Sequence, residues 1–421
     1  MTSPAQRGPE PGVYDRLLRL ESVGIRLGLE RIAPLMAALG EPHRVARRTV
    51  IITGTNGKGS VAATVSAALT AAGLRVGLYT SPHLVSVLER IRIDDQDLGA
   101  AEFDALGEEV LSAIARTGTP ASFFEALTAM AFLAFARHDV DVQILEVGVG
   151  GARDATRIAV PTHVVITQIA LDHAALIGPG LKEIAVEKFG VTAPGSLNVM
   201  NVPPRFRDLA PKGWHLDSSG RSDPSSGVRY ELLGARGDPN TRLSVVTPER
   251  TLLLPVPRLA GAHQLGNTAL AVALLVHLGV SAEAIAAGIT GIRWRARLER
   301  LPGQPLTILD GAHNPAGIQK LIASLPEVGL VPGFTLVFGA HPKKDAGPML
   351  RRLASLAGSV VLTEAPLLRD ANRLARLLPR HPDLQVIPDC SEAVRVARSL
   401  GRPVLIAGSL YLAGAVLRTL A

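Results

Sequence analysis

One lysine set among three glycines stands out chemically: Thr53-Gly54-Thr55-Asn56-Gly57-Lys58-Gly59-Ser60. Glycine lets the backbone turn sharply and approach an anion, and a helix beginning just afterwards offers unpaired N–H groups to the same anion. Lys58 adds a cation able to reach the terminal phosphates of a nucleotide. Thr55, Asn56, Gly57, Lys58, Gly59 and Ser60 are therefore candidate nucleotide-binding residues. The stretch departs from the general phosphate-loop pattern GxxxxGK[ST], with Ile52 in place of its first glycine and Gly59 in place of its hydroxyl. A second signal is Glu146, an acid inside the apolar run Val142–Val147. Burying a carboxylate is costly without a partner, and at the carboxyl end of a parallel strand it faces the ligand crevice, where it suits a Mg²⁺ ion.

The elements around these residues can be read from pattern. The β-branched run Thr49–Thr53 predicts a strand and the Ala-rich segment Val61–Ala72 a helix. Residues 14–40 read as an amphipathic helical region, Arg75–Tyr79 as a strand and 101–116 as a helix. Ser122 followed three residues later by Glu125 is a capping box opening a helix to about His138. Strands are expected at 141–146 and 163–168. From 195 to 257 the pattern changes to short alternating segments, Val228–Leu233, Arg242–Val246 and Thr251–Leu254, which predict a small antiparallel sheet on the flank of the first domain. Gly261 opens a long Ala/Leu helix, and another covers Ser281–Ile289. Beyond residue 300, strands at Leu306–Leu309, Phe334–Phe338, Ser359–Thr363, Leu384–Ile387 and Pro403–Ala407 alternate with helices, the signature of a parallel sheet.

At 421 residues the chain exceeds one ordinary core. The expected fold class is α/β, with an N-terminal nucleotide-binding domain over 1–295 that includes the β-rich part, and a Rossmann-like C-terminal domain over 296–421. The net charge of +7 is spread among acids, and with 4% aromatic residues neither a basic stripe nor a stacking platform for nucleic acid emerges. Small anionic ligands fit better. Only seven of the 44 Lys and Arg residues are lysine, so a lysine within a motif is informative. The single Cys390 excludes an intrachain disulfide and no Cys/His group has zinc spacing, which suits a reducing cytoplasm. The first sixteen residues have no apolar signal segment and read as a loose leader. The run Thr268–Val280, interrupted by His277, is too short to span a bilayer, so no membrane partner is expected.

Gly54–Ser60 resembles the ATP loop of the Mur ligase superfamily, in particular its folylpolyglutamate synthase and dihydrofolate synthase branch. Further stretches are similar to that family's motifs: Ser81-Pro82-His83-Leu84 with Glu89-Arg90-Ile91, Ser122-Phe123-Phe124-Glu125, Gly150–Thr156, Leu171-Asp172-His173 spaced to Lys188, Gly261 to Asn267, Asp310–Pro315 and the terminal Gly408–Tyr411. The resemblance implies an ADP-forming ligase that uses ATP and Mg²⁺ in folate and one-carbon metabolism, with a C-terminal glutamate ligase domain. It joins L-glutamate to dihydropteroate, to reduced folates, or to both through an acyl phosphate. A monofunctional member and an inactive nucleotide-binding relative are the alternatives. By the same resemblance Ser81, Glu146, His173 and Lys188, the last as a carbamate, hold metal, and Lys58, Lys188 and His173 are catalytic. Asn267, Arg297 and Asp310 contact ATP, with Arg295 competing for the role of Arg297. Ser122, Phe123, Phe124, Glu125, Arg153, Asp154 and Ala155 contact the pterin acid, and His313 lies near the incoming amino acid. A monomer is expected. The chain departs from the family pattern at Ala152, Arg157 and Phe189, and Trp294–Glu299 lacks the proline and glycine of the family's hinge.

Overall fold

The computed structural model describes residues 12–217 and 227–420. The expected leader lies outside these as far as residue 11. From Val13 it is corrected, because Val13–Arg19 is helical and buries Leu17.

Among the described residues the strands form two sheets. The first contains β1 (Arg48–Thr53), β2 (Val76–Tyr79), β3 (Ile91–Ile93), β4 (Gln96–Asp97), β5 (Val142–Glu146), β6 (His163–Ile166), β7 (Leu197–Met200), β8 (Trp214–Leu216), β9 (Gly227–Leu233), β10 (Arg242–Val246) and β11 (Thr251–Pro255), in the spatial order 11-10-9-8-7-6-1-5-2-3-4. Its helices are α1 (Val13–Arg19), α2 (Ile32–Ala38), α3 (Lys58–Ala71), α4 (Ala100–Thr117), α5 (Phe123–Arg137), α6 (Ala174–Ile177), α7 (Leu181–Phe189), α8 (Ala262–His277) and α9 (Ala282–Gly291). Successive side chains of a strand point to opposite faces, and the central strands obey this closely. Ile51, Leu145 and Val164 enter a core with α1, α2, α4, α5 and α7. Val50, Ile52, Ile144 and Val165 enter the opposite core with α3, α8 and α9. A sheet covered on both faces explains why these strands read as unbroken apolar runs.

The β-rich segment requires a correction. β7 and β8 are parallel strands of the main sheet, and β9 pairs in parallel with β8 before β10 and β11 continue antiparallel. The expected separate sheet is thus the edge of the first one. The alternating pattern of β9–β11 arises because one face packs on the α8 core while the other meets solvent. Residues 218–226 of that segment lie outside the described ones.

The second sheet has the order β12-β13-β17-β14-β15-β16, built from β12 (Glu299–Leu301), β13 (Thr307–Leu309), β14 (Phe334–Phe338), β15 (Ala357–Leu362), β16 (Leu384–Val386) and β17 (Val404–Ala407). It is parallel except for β12, an antiparallel edge strand that pattern reading missed in a run of only three residues. α10 (Pro315–Ser324), α11 (Ala346–Ala354) and α12 (Ala371–Ala375) cover one face, and α13 (Cys390–Ser399) and α14 (Leu410–Thr419) the other. The amphipathic region at 14–40 resolves into α1, a short 3₁₀ turn, a loop and α2. Among the described residues no helix is long and apolar enough to cross a membrane.

The helix that follows the glycine loop is held from behind by α9. A Cβ on Gly288 would lie 2.6 Å from the Cα, N and Cβ atoms of Ala68 on α3. Helix backbone cannot yield cheaply, so G288A is expected to lower the unfolding free energy by about 1–3 kcal/mol. G291A, where a Cβ meets nothing within 4 Å, serves as control. Urea unfolding of the two variants checks the difference.

Candidate active site

β1 lies between β5 and β6, so the loops after these three parallel strands converge at one point of the crevice. Their union is hydrogen-bonded. Thr53 Oγ1 donates to Gly150 O (2.7 Å), Thr55 N to Gln168 O (2.6 Å), Thr55 Oγ1 to Ala170 O (2.9 Å) and Thr167 Oγ1 to Asn56 O (2.7 Å). Two glycines are required by this packing. Gly54 has φ 143° and its Cβ would fall 1.9 Å from Thr167 Oγ1; Gly57 has φ 90° and its Cβ would fall 2.6 Å from Asn267 Oδ1. Asn267 thus sits against the loop, oriented by its own donation to Gln264 Oε1 at 2.8 Å, while Gln264 Nε2 donates to Ser60 Oγ. Lys58 heads α3, its Nζ 3.5 Å from Thr55 O.

In front of the loop lies a cavity of about 400 Å³ lined from both halves of the chain, with Thr55–Ser60, Glu146, Asn267, Arg297, Asp310 and His313 in its wall. The structure separates the two hinge candidates. Arg297 enters the cavity, whereas Arg295 pairs with Glu299 at 2.8 Å. Asp310 shapes this linker, accepting from Leu298 N and Ala312 N, each at 2.9 Å. Burial raises its pKa, opposed by Arg297. Half-buried His313 is held down to about 4 by desolvation and by Lys344, which favours the neutral ring; its Nδ1, 2.9 Å from Gly311 O, then donates to that carbonyl.

The two halves are joined across the cavity by polar side chains absent from the expected set. Asn314 Nδ2 donates to Asn56 Oδ1 at 2.9 Å and to Asp172 Oδ2 at 3.2 Å, and Lys344 pairs with Asp172. Burial works against the Asp172 carboxylate, yet His173 and Lys344 bring its pKa down to about 2. Asp172 and Asn314 each lie inside a motif noted in the sequence, and that position was the available signal, whereas Lys344 lies outside those motifs. Gln264, His341 and Tyr411 also line the cavity.

For the metal, Glu146 is buried and accepts Ser81 N at 3.2 Å, so Ser81 meets it first through its backbone. Desolvation raises the pKa of Glu146 and Lys58 opposes that rise. Among the described residues no three His, Cys, Asp or Glu side chains converge as a preformed cage. A lone buried carboxylate beside a serine and a phosphate loop nevertheless fits Mg²⁺, which keeps waters and phosphate oxygens in its shell. His173, Lys188, Lys58 and Asp172 line a second, narrow void next to the loop. His173 is exposed at the mouth of this void, and the partial desolvation there, opposed by Asp172, lowers its pKa to about 4, which favours the neutral imidazole that ligates a metal. Lys188 is buried with its Nζ donating to Gly54 O at 3.0 Å, and desolvation followed by the Lys58 charge lowers its pKa to about 7.

The remaining wall holds the expected acid-substrate residues, with two corrections. Ser122, Phe124, Glu125, Arg153, Asp154 and Ala155 line the cavity, but Phe123 does not. Adjacent helix residues point about 100° apart, and Phe123 turns into the core, where it meets the Tyr14 ring and the Arg90 guanidinium. Phe124 instead lies over Gly148, where a Cβ would approach its ring to 2.7 Å. Asp154 is spent on its own loop: Oδ2 accepts from Gly148 N and Val149 N, and Oδ1 from Thr156 N and Oγ1. It positions the wall and has little capacity left for a ligand. The Ser122–Glu125 capping box is complete, and Arg153 is held by Glu187 at 2.9 Å. Ile25–Gly28 close this side, tied in by Gly28 N donating to Arg153 O.

Because D154A strands several buried donors, it is expected to cost about 2–4 kcal/mol in urea unfolding. F124A alters the cavity wall at smaller cost to stability than F123A, a ranking that thermal unfolding of the two variants checks.

The model of the family described as "Mur ligase, glutamate ligase domain" matches residues 296–410. A protein of Haloferax volcanii named "Probable bifunctional folylpolyglutamate synthase/dihydropteroate synthase" is 34% identical over 94% of this chain, which spans about half of that relative's length (48%). The folylpolyglutamate synthase of Lacticaseibacillus casei is 34% identical over 93% of this chain and 94% of its own. Among solved structures, Escherichia coli FolC in complex with DHPP and ADP superimposes with a TM-score of 0.86 at 28% identity, covering 98% of each chain. With end-to-end similarity in sequence and in fold, the chain belongs to the folylpolyglutamate synthase/dihydrofolate synthase family of Mur ligases.

Proposed function

We propose that the chain is an ATP-dependent ligase that joins L-glutamate to the carboxylate of dihydropteroate and of (poly)glutamylated tetrahydrofolate, acting as both dihydrofolate synthase and folylpolyglutamate synthase. The observation that carries this reading is the single cavity in which the phosphate loop, the Phe124–Ala155 wall and His313 face one another. The working unit is a cytoplasmic monomer of two domains, 1–295 and 296–421, the boundary falling where Arg297 leaves the first sheet for the second.

The substrate carboxylate attacks the γ-phosphorus of ATP, the bond to the β,γ-bridging oxygen breaks, and ADP leaves behind an acyl phosphate. The glutamate amine then attacks the acyl carbon and phosphate departs, leaving the amide. Loop N–H groups and Lys58 hold the phosphates, and Arg297 adds a fixed cation from the linker, so that charge developing on the transferred group meets donors already in place. Asn267 and Asp310 border the rest of the nucleotide. Phe124, Arg153 and Ala155 face the acid substrate, while Asp154 keeps their loop in shape. His313 offers an unprotonated Nε2 on the amino-acid side. Ser81, Glu146, His173 and carbamylated Lys188 would hold Mg²⁺, which when bound neutralises phosphate charge.

With its pKa lowered to about 7, Lys188 has a substantial neutral fraction at physiological pH. The free amine adds to CO₂ and releases a proton, converting a buried cation into a carboxylate. K188A is accordingly expected to lose activity by at least 100-fold, with partial rescue by a short carboxylate, and to lose the carbamate signal that ¹³CO₂ produces in the wild-type ¹³C NMR spectrum. Unchanged turnover would remove Lys188 from the machinery.

The deciding assay is glutamate-dependent ADP release by the purified protein with MgATP, comparing dihydropteroate with tetrahydrofolate. Turnover with both is expected. Turnover with one alone would make the enzyme monofunctional, and none with either would favour a nucleotide-binding relative without ligase activity.

A further inference from the structure

Lys320 is absent from the machinery described so far, yet it faces the same cavity. It sits on α10, where Gly317, Lys320 and Leu321 follow the i, i+3, i+4 spacing of one helix face and all three line the cavity wall. Lys320 is half-buried, and desolvation lowers its pKa. Among the described residues it has neither an ion-pair nor a hydrogen-bond partner. A desolvated amine without a partner is costly, which makes such a group a candidate donor to a ligand.

Its position indicates which part of the ligand. The α10 face bearing Lys320 packs against the start of α8, where Ser324 Oγ lies 3.4 Å from His263 Nδ1. His263 is held down to about 4 by burial and next by the Lys320 charge, so a neutral ring stands beside the amine. Asn267, the α8 residue that touches the phosphate loop at Gly57, comes one helical turn after His263. One turn is about 5.4 Å, so the His263–Lys320 wall stands off the loop by about that distance, within the same cavity, where the part of a nucleotide beyond its phosphates has room to extend.

Resting on the ligase reading above, we infer that Lys320 binds the nucleoside part of ATP, donating a hydrogen bond to a ring nitrogen or ribose oxygen while His263 forms the adjoining wall. The charged donor gives affinity for the nucleotide without touching the transferred phosphate, so its effect falls on nucleotide binding.

Isothermal titration of the full chain with magnesium AMPPNP and, separately, with inorganic tripolyphosphate separates the two ends of the ligand. K320M keeps the bulk of the side chain and removes the donor. It is expected to raise the Kd for AMPPNP roughly tenfold or more, the scale of one charge-assisted hydrogen bond, and to leave the Kd for tripolyphosphate within about twofold. K320R should recover most of the AMPPNP affinity. Unchanged AMPPNP binding by K320M, or equal weakening of both ligands, would overturn the assignment while leaving the ligase reading intact. A wild-type chain that bound no AMPPNP would overturn both.

Discussion

The hydrogen-bonded junction of the loops after β1, β5 and β6 is the constraint on which the site depends. A glycine-rich loop alone is flexible and would lose much of its anion affinity to the entropy of ordering. Here Thr53, Thr55 and Thr167 spend their hydroxyls on neighbouring loop carbonyls, and the backbone of Thr55 adds a further bond. Gly54 and Gly57 are the positions where side chains would force the loops apart. The cradle is therefore set before any phosphate arrives, and its geometry is inherited from the parallel register of three buried strands.

Around that fixed point the charges are arranged unequally. The cavity wall carries Arg26, Lys58, Arg153, Arg297, Lys320 and Lys344 against Glu125, Glu146, Asp154, Asp172 and Asp310; Arg153 and Lys344 are paired, and Asp154 is used by its own loop. Burial raises the pKa values of Glu146 and Asp310 and lowers those of Lys188 and Lys320, so these charges are held at a cost that ligands of opposite charge would offset.

The second half of the chain is tied to the first, in part, by polar side chains beside the cavity. Asn56, Asn314, Asp172 and Lys344 join a loop after β1, a cap of α10, a loop after β6 and a loop after β14. Each link is an ordinary hydrogen bond or ion pair, and the halves also meet where Leu84 and Val85 pack on the core under α14 and where α10 meets α8. On the ligase reading proposed above, both faces must come near one acyl phosphate, and this bridge lies where the two halves meet beside the cavity.

What the sequence determined by itself was local. The glycine loop, the Ser122–Glu125 cap and the apolar strands depend on contacts a few residues apart, or on periodicities of two and 3.6, and each appeared where composition placed it. Motif spacing also marked Glu146, His173, Lys188, Asn267, Arg297, Asp310 and His313, all of which border the main cavity or the void beside it. Tertiary structure decided what no local pattern encodes: that β9 continues the main sheet, that Phe124 rather than Phe123 meets the cavity, and that the Asp154 carboxylate is consumed by its own loop. The pairing of Asp172 with Lys344, 172 residues away, belongs to the same class, as does the approach of Lys320 to His263. The physical reason is that side-chain direction and long-range partnership are set by how packed elements meet, and residue identity supplies only the groups available to be brought together.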